Sequence, residues 1–347
     1  MKTKTVKIGN ITIGGGSRIA VQSMTNIPAH NTAAVTEQIN RLAEAGCDIV
    51  RFAVPDRETA ENVDKIVGAV SVPLVADIHF DYRLALMCIE RGISKIRINP
   101  GNIGGEDRAA AVAKAAKAKG IPIRIGVNGG SLEKGLLEKC GGNLAMAMVE
   151  SAKRHIDILN RYDFDDIVLS MKSSDVRTTI AAYRLAHESF NYPLHLGVTE
   201  AGTVKSGIIK SSIGIGSLLA DGIGDTIRVS LTGDPVKEVE AARLILRALD
   251  MEPDSIQVVS CPTCGRTKID LISIANRVTE ETEKLKGKLK VAVMGCVVNG
   301  PGEAKDADIG IAGGDGCAVL FKKGEIIKKL PENEIVDALM DEIRRMI

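Results

Sequence analysis

Residues 72–102 read VPLVADIHFDYRLALMCIERGISKIRINPGN, and this stretch decides the fold. An apolar run at 73–79 is followed by an amphipathic segment and then by a second apolar run at 95–99. Short Val-, Ile- and Leu-rich runs that are separated by a segment of helix length are typical of parallel strands joined by a helix. The stretch therefore predicts one β–α–β unit.

The same unit recurs through the first 250 residues. The chain starts with a hairpin-like segment at 4–15 that turns at Gly9-Asn10. The apolar runs that follow predict strands at 18–24, 48–54, 73–79, 95–99, 122–128, 166–172, 193–199 and 226–231. Eight units in about 240 residues match the count and length of a (β/α)8 TIM barrel. The alternative, a doubly wound open sheet, rarely needs eight evenly spaced units, and no GxGxxG motif follows the first strand.

A short polar link, Glu252-Pro253-Asp254, separates the barrel units from a second pattern of elements. Beyond the link we predict strands at 256–260, 289–294 and 307–312, a hairpin, and helices at 268–285 and 332–346. These elements describe a compact α+β domain. The sequence therefore predicts a substrate-binding barrel domain at 1–250 and an α+β domain at 256–347.

Composition limits the class of protein. The chain has 45 basic and 44 acidic residues among 347, so the basic excess that favours nucleic-acid or membrane-surface binding is missing. The polar N-terminus and the lack of a long apolar run predict a soluble, cytoplasmic protein without a membrane span. In that compartment the seven cysteines are expected to be thiols or metal ligands rather than disulfides.

Cationic side chains recur at the carboxyl ends of the predicted barrel strands. They come from five different strands and are Arg51, Arg97, Arg124, Lys172 and Arg228. The acidic residues at the same strand ends, Asp77 and Glu200, are too few to neutralise these five cations, and buried cations need a negative partner. Because Arg and Lys suit phosphate oxygens and barrel active sites lie at this rim, the pattern predicts an anionic ligand with several charges. The loops at 99–104 and 128–131 can add backbone N–H donors.

Three cysteines form a metal-ligand pattern in the second domain. Cys261 and Cys264 follow one predicted strand, and Cys296 follows another within a loop rich in Gly and Pro. A structural zinc site needs four ligands and would require Cys317 as the fourth. Three thiolates with a weaker fourth ligand would instead suit an iron–sulfur cluster with one accessible iron. We interpret the other cysteines as inert thiols and three histidines as loop or helix-surface residues: Cys47, Cys88, Cys140, His30, His155 and His187.

At these motifs the sequence resembles the family of 4-hydroxy-3-methylbut-2-en-1-yl diphosphate synthases, which serve the methylerythritol phosphate route to isoprenoids. The resemblance spans nearly the whole chain and includes the segments 21–26, 48–51, 75–83, 97–102, 126–134, 195–202, 222–230, 261–266 and 295–303. Its most specific motifs are CPTCGR at 261–266 and GCVVNGPGE at 295–303. The segment at 27–31 and Gly129 depart from the family pattern, and Cys317 lies outside it.

The resemblance implies a chemistry and a set of partners. The reaction would be the two-electron reductive ring opening of 2-C-methyl-D-erythritol 2,4-cyclodiphosphate to the linear hydroxymethylbutenyl diphosphate, with loss of water. A [4Fe-4S] cluster would be held by Cys261, Cys264, Cys296 and Glu303, which makes 256–347 the cluster domain. Reduced flavodoxin or ferredoxin would supply electrons. The protein would be a homodimer in which one subunit's cluster domain caps the other subunit's barrel.

The resemblance also implies roles in the barrel. The residues expected to bind the cyclic diphosphate are Arg51, His79, Arg97, Arg124, Asn128, Lys172, Thr199, Arg228 and Ser230. Glu200 would donate a proton, since a carboxyl group in a closed site can stay protonated near neutral pH. The competing interpretation of Glu200 is a structural partner of Arg228 or Lys205. The alternatives for the whole chain are a phosphate-ligand barrel enzyme with a structural zinc site, and a non-catalytic zinc-ribbon module fused to a barrel.

Overall fold

The structure is a computed structural model that describes residues 2–297, 304 and 306–347. The chain divides into two compact units, Met1–Met251 and Glu252–Ile347. Of the helices within the described ranges, none is both long enough and apolar enough to cross a membrane.

A small hairpin closes the amino end of the first unit. Its strands are β1 (Val6–Ile8) and β2 (Ile11–Ile13), joined at the predicted turn. The hairpin contributes Val6, Ile8 and Ile13 to an apolar cluster. Residues at the start of four barrel strands complete it: Ala20, Ile49, Val75 and Val168. This cluster forms a hydrophobic plug at the amino end of the barrel. Polar residues can therefore gather at the opposite end, where the strands finish.

Eight parallel strands form the barrel itself. They are β3 (Ala20–Met24), β4 (Ile49–Ala53), β5 (Leu74–Asp77), β6 (Lys95–Ile98), β7 (Ile123–Asn128), β8 (Ile167–Lys172), β9 (His195–Leu196) and β10 (Thr226–Ile227). Strands β3 to β8 pair with one another in sequence order, and β10 lies between β3 and β9. A parallel bridge between Leu169 and Leu194 brings β8 beside the chain that leads into β9 and completes the ring. The predicted TIM barrel is confirmed.

Helices surround this ring. They are α1 (Thr32–Glu44), α2 (Arg57–Glu61), α3 (Val63–Gly68), α4 (Tyr82–Glu90), α5 (Glu106–Lys119), α6 (Leu136–Lys139), α7 (Leu144–Asn160), α8 (Val176–Ser189), α9 (Val204–Ala220) and α10 (Pro235–Ala248). Several begin at an Asn or Asp whose side chain accepts a first-turn N–H, as Asn143 does for α7 and Asp234 for α10. Such caps satisfy donors that a helix start leaves free and explain where these helices begin.

The barrel interior is polar above the hydrophobic plug. The side chain of Lys95 on β6 donates to Gln22 Oε1 on β3 at 3.3 Å. Because β4 and β5 stand between these two strands, the contact crosses the interior of the barrel. Most barrels of this class fill that space with Val, Ile and Leu. A polar interior is costly for folding and therefore indicates a site rather than a packing solution.

The second unit is built on one five-stranded sheet. Its elements are β11 (Ile256–Ser260), β12 (Leu289–Met294), β13 (Ile309–Gly314), β14 (Cys317–Lys322), β15 (Glu325–Pro331), α11 (Leu271–Thr282) and α12 (Ile335–Met346). Strands β11, β12 and β13 are parallel, and β13, β14 and β15 are antiparallel. Val291 and Val293 pack in one hydrophobic cluster with the two helices, whereas Ala292 and Met294 lie in a second cluster. The predicted α+β architecture is confirmed.

Candidate active site

Two arginines and a histidine surround one buried carboxylate at the carboxyl end of the barrel. Asp77 ends β5 and is 4% exposed. Its Oδ1 lies 3.1 Å from Arg97 Nη1, and its Oδ2 lies 3.8 Å from Arg51 Nε and 3.6 Å from His79 Nε2. Burial alone would raise the pKa of Asp77, but Arg51, His79 and Arg97 outweigh it and hold this pKa well below its ordinary value. The structure thus brings three predicted site residues together around a charged carboxylate.

Two more interior cations have no acidic partner within the described part of the chain. Arg124 is 1% exposed and donates from Nη1 to Ser170 Oγ at 2.9 Å. Its Nε and Nη2, and Nζ of the buried Lys172, find no acceptor among the described residues. Burial lowers the pKa of both side chains well below the ordinary values, and neighbouring arginines lower them further. Since unmatched buried donors cost free energy, an anion that accepts from them would be bound strongly.

The acid that pairs with Arg228 is Glu238, which the sequence analysis did not identify. Arg228 Nε lies 3.5 Å from Glu238 Oε2, and Glu238 also accepts from Ser23 Oγ at 2.9 Å and from the backbone N–H of Leu231 at 3.0 Å. Glu200 is therefore not the partner of Arg228. It is exposed at the rim, with its backbone in the left-handed region at φ 52°. That conformation is uncommon for a residue other than glycine and often marks functional positions.

The remaining predicted substrate residues also lie at the carboxyl end of the barrel. Asn128 ends β7 and is paired in register with Lys172 at the end of β8. Thr199 follows β9, and its backbone N–H donates to Ser173 at 3.2 Å. Ser230 follows β10 and is half-buried. Arg51 is the middle residue of β4 and Arg124 is the second residue of β7, so these two lie inside their strands rather than at the predicted strand ends. The other seven predicted substrate residues lie within the last two residues of a strand or beyond it, and the roles of all nine remain predictions.

Sequence reasoning missed three buried groups. Lys95 is fully buried two residues before Arg97, and the period-two alternation of strand side chains could have identified it. Glu238 lies on α10 among other charged residues, and the sequence holds no signal that separates it from them. The interpretation of His155 as a surface residue is wrong, because its side chain is 3% exposed. Its position on the buried face of α7, seven residues after Met148, could have shown this.

The carboxylate of Asp77 is expected to be a main stabilising element of the barrel. Replacing it in Asp77→Asn leaves Arg51 and Arg97 buried without their counter-charge, and we expect the free energy of unfolding to fall by about 4 kcal/mol. Because the folded pKa is depressed, this contribution is present above about pH 4 and fades as pH falls towards the folded pKa. Urea unfolding followed by circular dichroism at neutral pH measures it.

The matched control is Asp81→Asn. Asp81 Oδ2 also meets an arginine, Arg83, at 2.7 Å, but that pair is exposed. An exposed pair of this kind contributes less than about 1 kcal/mol. Equal stability losses in the two variants would contradict the importance assigned to the buried carboxylate.

Three free cysteines follow the strands at one end of the sheet in the second unit. Cys261 directly follows β11, and Cys296 lies two residues beyond the end of β12, its parallel neighbour. The Sγ of Cys261 accepts from the backbone N–H of Gly295 at 3.1 Å. The backbone N–H of Lys268 donates to the Gly295 carbonyl at 3.0 Å, which ties the chain after Cys264 to the same turn.

Glycine makes this approach possible. A Cβ on Gly313 of β13 would lie 2.7 Å from the Gly295 carbonyl oxygen, and a Cβ on Gly295 would lie 3.0 Å from the side chain of Thr267. The turn at Gly295 therefore packs closely between Gly313 and Thr267, and both contacts require glycine. The exposed Cys264 thiol has a lowered pKa, chiefly because the backbone N–H of Arg266 stabilises its thiolate. Thiolates are the form that binds soft metals.

The fourth ligand of a metal at these thiols is not defined by the described residues. Within residues 2–297, 304 and 306–347, no three His, Cys, Asp or Glu side chains form a ready metal-binding group. Glu303, the ligand implied by resemblance, lies outside the described residues. Cys317 begins β14 opposite Gly314, so it lies at the same end of the sheet as Cys296. The predicted inert thiols Cys47 and Cys88 are buried, and burial raises the pKa of each to about 12.

The comparisons with known proteins match both units. Residues 3–243 match the family profile described as the GcpE TIM-barrel domain, and residues 257–345 match that of the GcpE protein C-terminal domain. A protein of Ruminiclostridium cellulolyticum, named 4-hydroxy-3-methylbut-2-en-1-yl diphosphate synthase (flavodoxin), is 59% identical over 99% of this chain and 98% of its own length. A Clostridium tetani protein of the same name is 57% identical over 99% of both chains.

Solved structures resemble the barrel at low identity. Dihydropteroate synthase from Stenotrophomonas maltophilia covers 72% of this chain and 100% of its own, with a TM-score of 0.53 and 13% identity. Dihydropteroate synthase from Xanthomonas albilineans gives a TM-score of 0.51 with 12% identity over 72% of this chain and 100% of its own. At such identities the likeness shows the fold alone.

Proposed function

The chain belongs to the GcpE protein family, and we propose that it converts 2-C-methyl-D-erythritol 2,4-cyclodiphosphate into 4-hydroxy-3-methylbut-2-en-1-yl diphosphate. The reaction opens the cyclic diphosphate, takes up two electrons and two protons, and releases one water. One observation carries the proposal: the buried barrel cations include donors that no described residue accepts from. A diphosphate offers several charged oxygens to such donors. The names of relatives that are 57–59% identical support the same reaction.

The barrel residues bind and orient the substrate. The guanidinium of Arg124 and the amine of Lys172 would donate hydrogen bonds to the diphosphate oxygens, because their donors Nε, Nη2 and Nζ have no acceptor among the described residues. Arg51 and Arg97 are held in place by Asp77, and Arg228 by Glu238. Fixed cations of this kind lose little conformational entropy when the anion binds. His79, Asn128, Thr199 and Ser230 would complete the positioning of the substrate.

Three thiols of the second unit suit an iron–sulfur cluster. Cys261, Cys264 and Cys296 would hold it, with Glu303 as the proposed fourth ligand, and a [4Fe-4S] cluster supplies electrons one at a time when bound. A thiolate set with one carboxylate is a poorer match for structural zinc, which prefers four Cys or His ligands. The N–H of Gly295, which points at Cys261 Sγ, is the kind of donor that stabilises ligated sulfur.

Glu200 remains our proposed proton donor. Its exposed carboxyl lies in the rim loop four residues after β9, where its backbone adopts the left-handed conformation. We propose flavodoxin as the electron donor, in line with the relatives' names, with ferredoxin as the alternative. We also propose a homodimer, which light scattering of the anaerobic holoprotein tests directly.

Metal analysis separates the proposed function from its zinc alternative. Protein purified under nitrogen is expected to be brown and to contain about four iron and four sulfide per chain with little zinc. The measurement is iron and zinc by plasma mass spectrometry, with sulfide determined by colorimetry. Stoichiometric zinc without sulfide would instead identify a phosphate-ligand barrel with a structural zinc site.

A further inference from the structure

One buried histidine behind the barrel rim has no part in the proposed function. His155 lies on α7, the helix that follows the rim loop after β7. It is 2% exposed and shares the buried face of the helix with Met148, Ala152 and Leu159. An apolar side chain would fill such a position without the cost of burying an imidazole. The presence of histidine therefore calls for a reason beyond packing.

The imidazole of His155 bridges two rim loops. Its Nδ1 accepts from the backbone N–H of Gly101 at 3.1 Å, in the loop after β6. Its Nε2 lies 3.4 Å from Glu133 Oε1, in the loop after β7, close enough for an electrostatic contact but without the geometry of a hydrogen bond. These are the loops that follow Arg97 and Asn128, two of the proposed substrate residues. One side chain, anchored in a helix, thus touches both segments.

The fit of the ring against Gly101 is close. A Cβ on Gly101 would lie 2.6 Å from His155 Cε1 and 3.3 Å from Nδ1, so any other residue there would collide with the ring. The φ of Gly101 is not among the positive values, so its glycine is explained by this close approach. The loop backbone and the imidazole are therefore matched in shape as well as in hydrogen bonding.

The hydrogen bond from Gly101 defines the tautomer. A backbone N–H can only donate, so Nδ1 is unprotonated and the neutral ring carries its proton on Nε2, towards the Glu133 carboxylate. Burial lowers the pKa of His155, Glu133 raises it and Arg154 lowers it, with a net lowering that favours the neutral ring. Glu133, from the loop, and Arg154, from α7 itself, are the charged groups of the described residues that act on this ring. The Gly101 loop contributes only its N–H.

We propose that His155 is a positioning residue of the anion site, which holds the loops after β6 and β7 in the arrangement that receives the substrate's phosphate groups. It touches no substrate atom and acts through Gly101 and Glu133. The inference rests on the proposed function only for the identity of the anion. It predicts that losing both polar contacts weakens substrate binding while the chemical step is largely preserved.

Two variants of His155 separate position from packing. His155→Leu keeps an apolar side chain in the pocket but removes both polar contacts, and its KM for the cyclic diphosphate is expected to rise about 30-fold with kcat within about threefold. His155→Gln retains one acceptor and one donor and is expected to recover KM to within about fivefold of the original. Steady-state kinetics of the anaerobic holoenzyme measure both parameters.

The control for simple destabilisation is Ile156→Val on the same helix. Ile156 is 4% exposed, and the loss of one methyl group destabilises a core by about 1 kcal/mol without removing a polar contact. Its KM is expected to stay unchanged. If His155→Leu lowers the melting temperature but leaves KM unchanged, His155 is only a structural residue and the proposal fails. If the KM of His155→Gln is as high as that of His155→Leu, the polar contacts to Gly101 and Glu133 are not the cause and the proposal also fails.

Calorimetric titration with inorganic pyrophosphate measures the affinity of the anion site in the absence of turnover. Weaker pyrophosphate binding by His155→Leu than by the unaltered chain and by Ile156→Val supports the positioning role. Equal binding by all three overturns it. An unaltered chain that binds pyrophosphate but does not convert the cyclic diphosphate would contradict the proposed function and leave this result interpretable.

Discussion

Cys296→Ser is expected to lose its iron and sulfide and, with them, all reductive activity. Cys296 is 7% exposed and follows the turn at Gly295 that is fixed against Cys261 and Lys268. A serine hydroxyl in the same place stays protonated and is a poor ligand for iron beside thiolates. The measurement is iron and sulfide per chain, together with the visible absorption of anaerobic protein.

Cys317→Ser is the matched control for this loss. Cys317 lies at the same end of the same sheet, two strands away from β12, and is partly exposed. It is expected to keep the full complement of iron and sulfide. Loss of the cluster in both variants would move the fourth ligand from Glu303 to Cys317.

Lys172→Met is expected to retain the cluster and to lose substrate affinity. The substitution keeps the length of the side chain but removes a buried amine for which no acceptor lies among residues 2–297, 304 and 306–347. Removing one member of a buried charge pair costs about 3 kcal/mol, which corresponds to a rise in KM of at least about a hundredfold. Anaerobic kinetics and metal analysis of the same preparation measure the two effects separately.

An exposed lysine supplies the comparison. Lys119→Met at the end of α5 removes an exposed cation that lies beside Lys7 and Gly9 of the hairpin at the amino end of the barrel, and it is expected to behave like the unaltered chain, since exposed charges far from the anion contribute little. If Lys172→Met loses its iron while its KM for the substrate stays unchanged, the place of Lys172 in the anion site is wrong.

The fold was predictable because its signal is periodic. The runs at 73–79 and 95–99 appear in the structure as β5 and β6, and Arg97 lies near the end of β6 as predicted, whereas Arg124 is the second residue of β7 rather than a strand-end residue. The motif around Cys261 could be recognised because closely spaced cysteines in a chain of this kind are more often metal or redox ligands than disulfides. Local pattern and chemistry were sufficient for these elements.

Partners that come from elsewhere in the chain were not predictable. Glu238 reaches Ser23 and Arg228 from a helix, and no spacing rule connects these three positions. His155 lies 54 residues after Gly101 and 22 residues after Glu133 in the sequence, and it contacts both. Such contacts depend on how α7 packs against two loops, and no local sequence pattern predicts that packing. The polar groups that organise the rim therefore required the structure.

The most direct test of the account is turnover of the cyclic diphosphate by the chain with its cluster. Anaerobic protein with reconstituted iron and sulfide is mixed with 2-C-methyl-D-erythritol 2,4-cyclodiphosphate and reduced flavodoxin, and the products are followed by phosphorus NMR. The account predicts that the cyclic diphosphate signals are replaced by those of a linear diphosphate, with two electrons consumed per molecule. A chain that contains the full cluster and leaves the cyclic diphosphate unchanged would contradict it.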